Sequence, residues 1–177
     1  MASVASFFVS RVDTETDRRL EAIGTDEALG LRGKAAVANA KLAYEVFLRR
    51  FRGPRWEALA ARGARVQRPL WASTSTKNKA YSDLLYVDTL IGPHTVNTMP
   101  EPTIDAFEDH GAVTRTVDAG LDETRAVIDG LGRVGVDFAD VARVLEDEGV
   151  ATFAKSFDEL IQALTDKATA LGGKGTA

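Results

Sequence analysis

Ser73-Thr74-Ser75-Thr76-Lys77-Asn78 sets four hydroxyls, an ammonium and a side-chain amide in one unbroken run, directly after the apolar stretch Pro69-Leu70-Trp71-Ala72. Two shorter polar groups follow apolar runs in the same way: Ser10-Arg11 after VASFFV, and Asn97-Thr98 after HTV. Guanidinium, ammonium, hydroxyl and nearby backbone amides gathered on one rim suit a phosphate dianion, which accepts many charge-assisted hydrogen bonds at once. A plainer account of the same residues also stands. Arg11 would pair with an acid such as Asp13, and the hydroxyls would cap the helix that follows.

Covalent chemistry through Lys77 is the sharper alternative. A Schiff-base lysine needs its pKa depressed, as a rule by burial in an apolar pocket. Lys77 lies beyond the apolar part of its strand, between Thr76 and Asn78, and reads as a charge that holds an anion. Lys34, Lys41, Lys79, Lys155, Lys167 and Lys174 fall on expected helices, loops or the tail. His94 follows Gly92-Pro93 in an expected turn. His110 precedes Gly111 and suits a helix C-terminus, where positive charge is favoured. The two histidines do not form a metal-ligand spacing, so no metal is expected. Glu108-Asp109 and Glu146-Asp147-Glu148 read as solvated helix faces.

The elements that would position these groups alternate. Val4–Val9 is apolar except for Ser6 and predicts a parallel strand buried on both faces. Asp13 and Thr14, with Asp17 three residues after Thr14, predict the start of the next helix. Leu31, Ala35, Ala38, Leu42 and Val46 predict one face of a long helix, with Arg49, Arg50 and Arg52 at its C-terminal end and Gly53-Pro54 as its stop. A short helix ends at Gly63, and a second strand falls within Val66 to Thr74. A helix is expected over Tyr81 to Gly92, a brief third strand over His94 to Pro100, and a further helix as far as Gly111. Beyond that the pattern is helical: Leu121 to Val134, Asp137 to a stop at Gly149, and a last helix from Ser156, with Glu159 completing a capping box and Leu160, Leu164, Ala168 and Leu171 as its stripe. The tail Leu171–Ala177 reads as a frayed end. Strand, helix, strand, helix, strand, then helices is α/β logic with parallel strands and helical crossovers, and in such folds functional groups cluster where strands end.

Composition bounds the rest. The 177 residues are 45% hydrophobic and 27% charged, as in ordinary globular domains. With 22 basic against 26 acidic residues the net charge is −4 and no like-charge block stands out, which argues against a nucleic-acid surface. There is no cysteine, hence no disulfide or thiolate metal site, which suits a reducing cytoplasm. No run approaches the roughly 18 apolar residues of a membrane span, and no targeting segment is expected.

SVASFFVSRVDTETDRRL, RPLWASTSTKN and IGPHTVNTMPEPTIDAFEDHG, in this order, resemble successive motifs of the transaldolase family in the form common among actinobacteria. The likeness continues through GVDFADVARVLEDEGVATFAKSFDEL and covers nearly the whole chain. The resemblance implies an eight-stranded α/β (TIM) barrel that moves a dihydroxyacetone unit between phosphosugars through a lysine Schiff base, without a cofactor. It places this chain at the sixth, seventh and eighth strands plus the C-terminal helices: a partial barrel over 1–111, then helices packing on it over 112–177. By the same match Arg11 resembles the arginine that grips substrate phosphate. Ser75 and Lys77 resemble the serine and basic residue of the next strand's phosphate site, where many relatives carry arginine. Ser6 resembles a substrate-contacting serine and Phe8 an aromatic nearby; on a strand the two share one face.

The resemblance also implies what would lie upstream of Met1: the Schiff-base lysine on the fourth strand and the acid/base carboxylates on the first and third. No catalytic residue is therefore expected on this chain, and alone it should be inactive. The expected ligands are phosphosugars: fructose 6-phosphate, sedoheptulose 7-phosphate, erythrose 4-phosphate and glyceraldehyde 3-phosphate. A separate N-terminal half is a possible partner. The alternative is a non-catalytic phosphosugar-binding fragment.

Overall fold

The computed structural model describes residues 1–172. Three strands, β1 (Ser3–Phe8), β2 (Gln67–Ala72) and β3 (Val96–Asn97), form a parallel sheet in the order β1-β2-β3. β1 runs alongside β2 from Ser3↔Gln67 to Phe8↔Ala72, and β2 meets β3 at Leu70↔Val96 and Trp71↔Asn97. The chain divides into two compact units, the first Met1–Val141 and the second from Ala142 onward.

In the first unit, α1 (Ser10–Ile23), α2 (Asp26–Leu29), α3 (Ala35–Arg50) and α4 (Pro54–Ala60) connect β1 to β2. α5 (Leu85–Asp88) lies between β2 and β3, and α6 (Glu101–His110) and α7 (Leu121–Arg133) follow. α3 is the hub, packed on α1, α7 and β2. Its Ala35, Ala36, Ala38 and Ala40 are buried, and such small side chains let neighbouring backbones come close. Of the predicted stripe Ala35 and Ala38 are buried, but farther along the helix the buried face shifts to Ala40, Tyr44 and Phe47, and Val46 is exposed. Alanines are small enough to read as either face, so the aromatic residues decide the phase.

The sheet buries Trp71 on one face and leaves β1 largely exposed on the other. Phe7 and Trp71, register partners, meet edge to face with ring centroids 5.9 Å apart, and the buried Trp71 Nε1 donates to Leu90 O at 3.1 Å. The opposite face of β1 bears Val4, 39% exposed, and Phe8, 40% exposed. The expectation of a strand buried on both faces is thus overturned. Among the described residues β1 pairs with β2 alone.

Several boundaries differ from those expected, each for a local reason. α1 begins at Ser10, because Val9 N–H and Ser10 N–H continue the ladder onto Ala72 O and Ser73 O (2.9 and 3.1 Å) and lead the strand straight into the helix. Thr14 and Asp17 are then interior positions and not a capping box. The helix expected over Tyr81 to Gly92 shrinks to the single turn of α5. Thr76 Oγ1 donates to Ser82 O (2.8 Å) and Asn78 Oδ1 accepts from Ala80 N–H (2.9 Å), so short polar side chains hold the backbone in turns. β3 is confined to two residues: Thr95 Oγ1 donates back to Gly92 O (2.7 Å), and Pro100 already caps α6.

α8 (Phe138–Gly172) is one continuous helix. It begins one residue after the expected start at Asp137, whose Oδ1 accepts from Ala139 N–H at 2.9 Å. The stop expected at Gly149 and the start at Ser156 are absent, since an interior glycine costs only about 1 kcal/mol against its flanking helix formers. The second unit is the part of α8 from Ala142, and Val150, Phe157, Leu160 and Leu164 recur along it as exposed apolar side chains. Of the tail expected to fray, Leu171 and Gly172 are helical and 173–177 lie outside the described residues. No helix among the described residues is long and apolar enough to cross a membrane.

Candidate anion site at the strand ends

The carboxyl ends of the three strands are stitched to one another by hydroxyls. Ser10 Oγ and Ser73 Oγ share a hydrogen bond of 2.8 Å, which joins the end of β1 to the end of β2. The fully buried Thr74 donates to Asn97 Oδ1 at 2.7 Å, which joins β2 to β3. Asn97 Nδ2 in turn donates to Tyr86 O at 3.4 Å. Ser73 sits at φ +56, a left-handed conformation that side chains rarely adopt, and the chain turns sharply there out of the strand. Ser10, Ser73 and Thr74 thus act as the rim's structural ties. Their position at strand ends was legible in the sequence; their pairing across strands was not.

On this frame the sequence-derived residues form two groups. Arg11, exposed in the first turn of α1, lays its guanidinium over the Phe8 ring at 4.9 Å from the centroid. Lys77 Nζ donates to Ser75 Oγ at 2.6 Å. Among the described residues no contact joins Arg11 to Ser75 or Lys77; the groups are connected through the Ser10–Ser73 bridge. Ser6 lies on the uncovered face with Phe8. The pairing of Arg11 with Asp13, the plainer account, does not occur. Asp13 points away into the core, where it accepts from Ala36 N–H (2.8 Å) and from Tyr86 Oη (2.8 Å). Arg11 consequently makes no ion pair among the described residues, and its charge stands at the positive N-terminal end of α1.

Behind the rim, a cavity of about 270 Å³ lies between α1 and the loop after β2, with Asp13, Asp17 and Glu21 facing Lys77, Asn78 and Tyr81. With Arg18 also in its lining it carries three acids against two bases, a balance that does not favour an anion. Burial pushes the Asp13 carboxyl up to about 6, against the hydrogen bonds from Ala36 and Tyr86 that favour its charged form. Burial, with the neighbouring carboxylates, also raises the Tyr81 and Tyr86 hydroxyls well above their ordinary range.

The other candidates stand apart. His94 sits in the expected turn at φ +63, its ring 6.2 Å from that of Phe47. His110 ends α6 and bonds both Asp83 (3.1 Å) and Asp109 (3.0 Å), which raise its pKa. Burial lowers the pKa of Lys41, but this residue lies on α3 and donates to Ala119 O at 2.8 Å, in the helical layer and not at the strand ends. Among the described residues no cluster of three or more metal-ligating side chains is present.

The model of the transaldolase/fructose-6-phosphate aldolase family matches residues 1–164. The chain belongs to this family. It is 59% identical over 162 residues to the transaldolase of Mycolicibacterium smegmatis, an alignment covering 91% of this chain and 44% of that protein. The transaldolase of Frankia alni is 54% identical over 177 residues, 99% of this chain and 47% of its own length. That of Mycobacterium tuberculosis is 57% identical over 162 residues, 90% of this chain and 43% of its own. The chain therefore spans rather less than half the length of these relatives, consistent with a C-terminal half. Its parallel three-stranded sheet and crossover helices fit a fragment of the family's α/β barrel.

Proposed function

We propose that this chain supplies the phosphate-binding half of a transaldolase. Arg11, Ser75 and Lys77 grip the phosphate of a phosphosugar, and Ser6 and Phe8 line the approach to it from the uncovered face. The Schiff-base lysine and the acid/base carboxylates belong to strands outside this sequence. Residues 1–111 form the partial barrel, and α7 and α8 are the C-terminal helices that follow it. The observation that carries the proposal is the stitched rim. Among the described residues Arg11 has no acid partner at the end of β1, Lys77 is bonded to Ser75 beyond the end of β2, and the Ser10–Ser73 bridge connects them. Membership of the family supports the same substrate class, with fructose 6-phosphate, sedoheptulose 7-phosphate, erythrose 4-phosphate and glyceraldehyde 3-phosphate as its members.

Dihydroxyacetone transfer needs a covalent amine, as a rule one buried in an apolar pocket, and Lys77 and Lys79 beyond the end of β2 are exposed. Catalysis then requires, in the cytoplasm, the first five strands of the family barrel together with this half. The test is borohydride trapping of the purified chain with fructose 6-phosphate, read by intact mass. No adduct is expected from the chain alone, and an adduct once a polypeptide bearing the missing strands is added. Arg11→Ala in that mixture should weaken fructose 6-phosphate binding by about 1.5–3 kcal/mol, the worth of a hydrogen bond to a charged group. An adduct on Lys77 of the isolated chain would make it the nucleophile, and unchanged affinity in Arg11→Ala would remove its role in binding.

A further inference from the structure

The loop bearing Ser75 and Lys77 is held at both ends by side chains with no place in the phosphate cradle itself. Its near end is fixed by buried Thr74, bonded to Asn97. Its far end is fixed by Tyr81, whose Oη donates to Asp17 Oδ2 at 2.6 Å. Asp17 Oδ1 accepts in turn from Gly33 N–H at 2.9 Å. The Tyr81 ring lies so close over Gly33 that a Cβ there would stand 2.8 Å from Cζ, and Gly33 has φ +69, so both the conformation and the contact require glycine. Tyr81 N–H closes the turn on Asn78 O at 3.1 Å, the residue next to Lys77.

Asp17 and Arg11 belong to the same helix, α1. At about 1.5 Å per residue the two are about 9 Å apart along its axis, a separation that a packed helix holds constant. One turn earlier, Asp13 repeats the arrangement with Ala36 N–H and Tyr86 Oη. α1 therefore carries one cation of the cradle directly and grips, through Asp17, the loop that carries the other.

We propose that Tyr81 is a positioning residue for the phosphate cradle: held by Asp17 and seated on Gly33, it sets Lys77 and Ser75 in register with Arg11. The inference rests on the assignment of those three residues as phosphate ligands. Without the Tyr81 hydroxyl, the loop keeps its anchor at Thr74 and loses the one on α1. Lys77 then samples positions from which it cannot share an anion with Arg11, and the loss appears in binding before it appears in global stability.

The test compares the full chain with Tyr81→Phe, Lys77→Ala and the double variant, by fructose 6-phosphate affinity and by hydrogen exchange over residues 74–84. Lys77→Ala should weaken binding about tenfold. Tyr81→Phe, which removes one oxygen and keeps the ring, should weaken it about three- to tenfold and speed exchange in the loop while leaving the core protected. The two losses should not add, because a displaced Lys77 contributes little for Ala to remove. Full additivity, or exchange in the loop unchanged by Tyr81→Phe, would overturn the positioning role and leave the cradle standing. Absence of binding by the unmodified chain, or affinity unchanged in Lys77→Ala, would instead overturn the cradle and with it this inference.

Discussion

At the scale of single residues, the decisive feature is how α1 divides its charges between rim and core. Arg11 faces the rim and Asp13, two positions on, is turned inward, so the nearest acid does not neutralise the cation. The burial of Asp13 has a consequence for stability. Burial pushes its carboxyl up to about 6 in the folded chain from an ordinary value of 3.8, so between those pH values the folded state binds the extra proton. Stability from this group is fully present below about pH 4 and declines as pH rises to about 6, by at most about 3 kcal/mol. His110, raised by Asp83 and Asp109, contributes in the same sense, its stabilisation lost as pH rises through its folded pKa. Glu15 and Asp118, held low by Arg18 and Arg115, act oppositely and lose their contribution as pH falls. The Asp13 component is isolated by difference. Urea titrations of wild type and Asp13→Asn at several pH values should show the gap between them closing toward low pH, and a constant gap would contradict the buried proton.

At the scale of elements, the sheet depends on its covered face. Trp71 fills the space between sheet and helices, meets Phe7 edge to face and donates to Leu90 O, which ties β2 to the segment that leads to β3. Trp71→Ala should cost about 3–5 kcal/mol through the cavity it leaves, and strands the Leu90 carbonyl. Thermal or denaturant unfolding followed by far-ultraviolet dichroism checks this, with Phe8→Ala as the contrast. Phe8 is 40% exposed on the uncovered face, so its removal should cost the isolated chain far less. A comparable loss in both would mean that the uncovered face is packed in solution.

At the scale of the whole molecule, the first unit presents a sheet whose β1 and β3 each pair with β2 alone among the described residues. Unpaired edge strands beside an exposed apolar face template association with other chains. The purified chain should therefore show concentration-dependent self-association in analytical ultracentrifugation. A polypeptide carrying the first five strands of a family relative should suppress it by occupying the same edges and face. A stable monomer over a wide concentration range would show that the edges are protected in solution.

Hydrophobic periodicity and the order of the motifs determined the α/β class, the three parallel strands, the rim residues and the family, because these depend on local pattern and on side-chain types in sequence. The same pattern misphased α3, where alanines fit either face, and divided α8 at Gly149, where flanking helix formers outweigh one glycine. It overextended α5 and β3, because the hydrogen bonds of Thr76, Asn78 and Thr95 that bound them depend on where distant backbone groups come to rest. Only the tertiary structure decided that Asp13 abandons Arg11 for Ala36 and Tyr86, that Ser10 meets Ser73, and that Tyr81 reaches Asp17 across 64 positions of chain. Those partners are set by packing between elements remote in sequence, which no local spacing encodes.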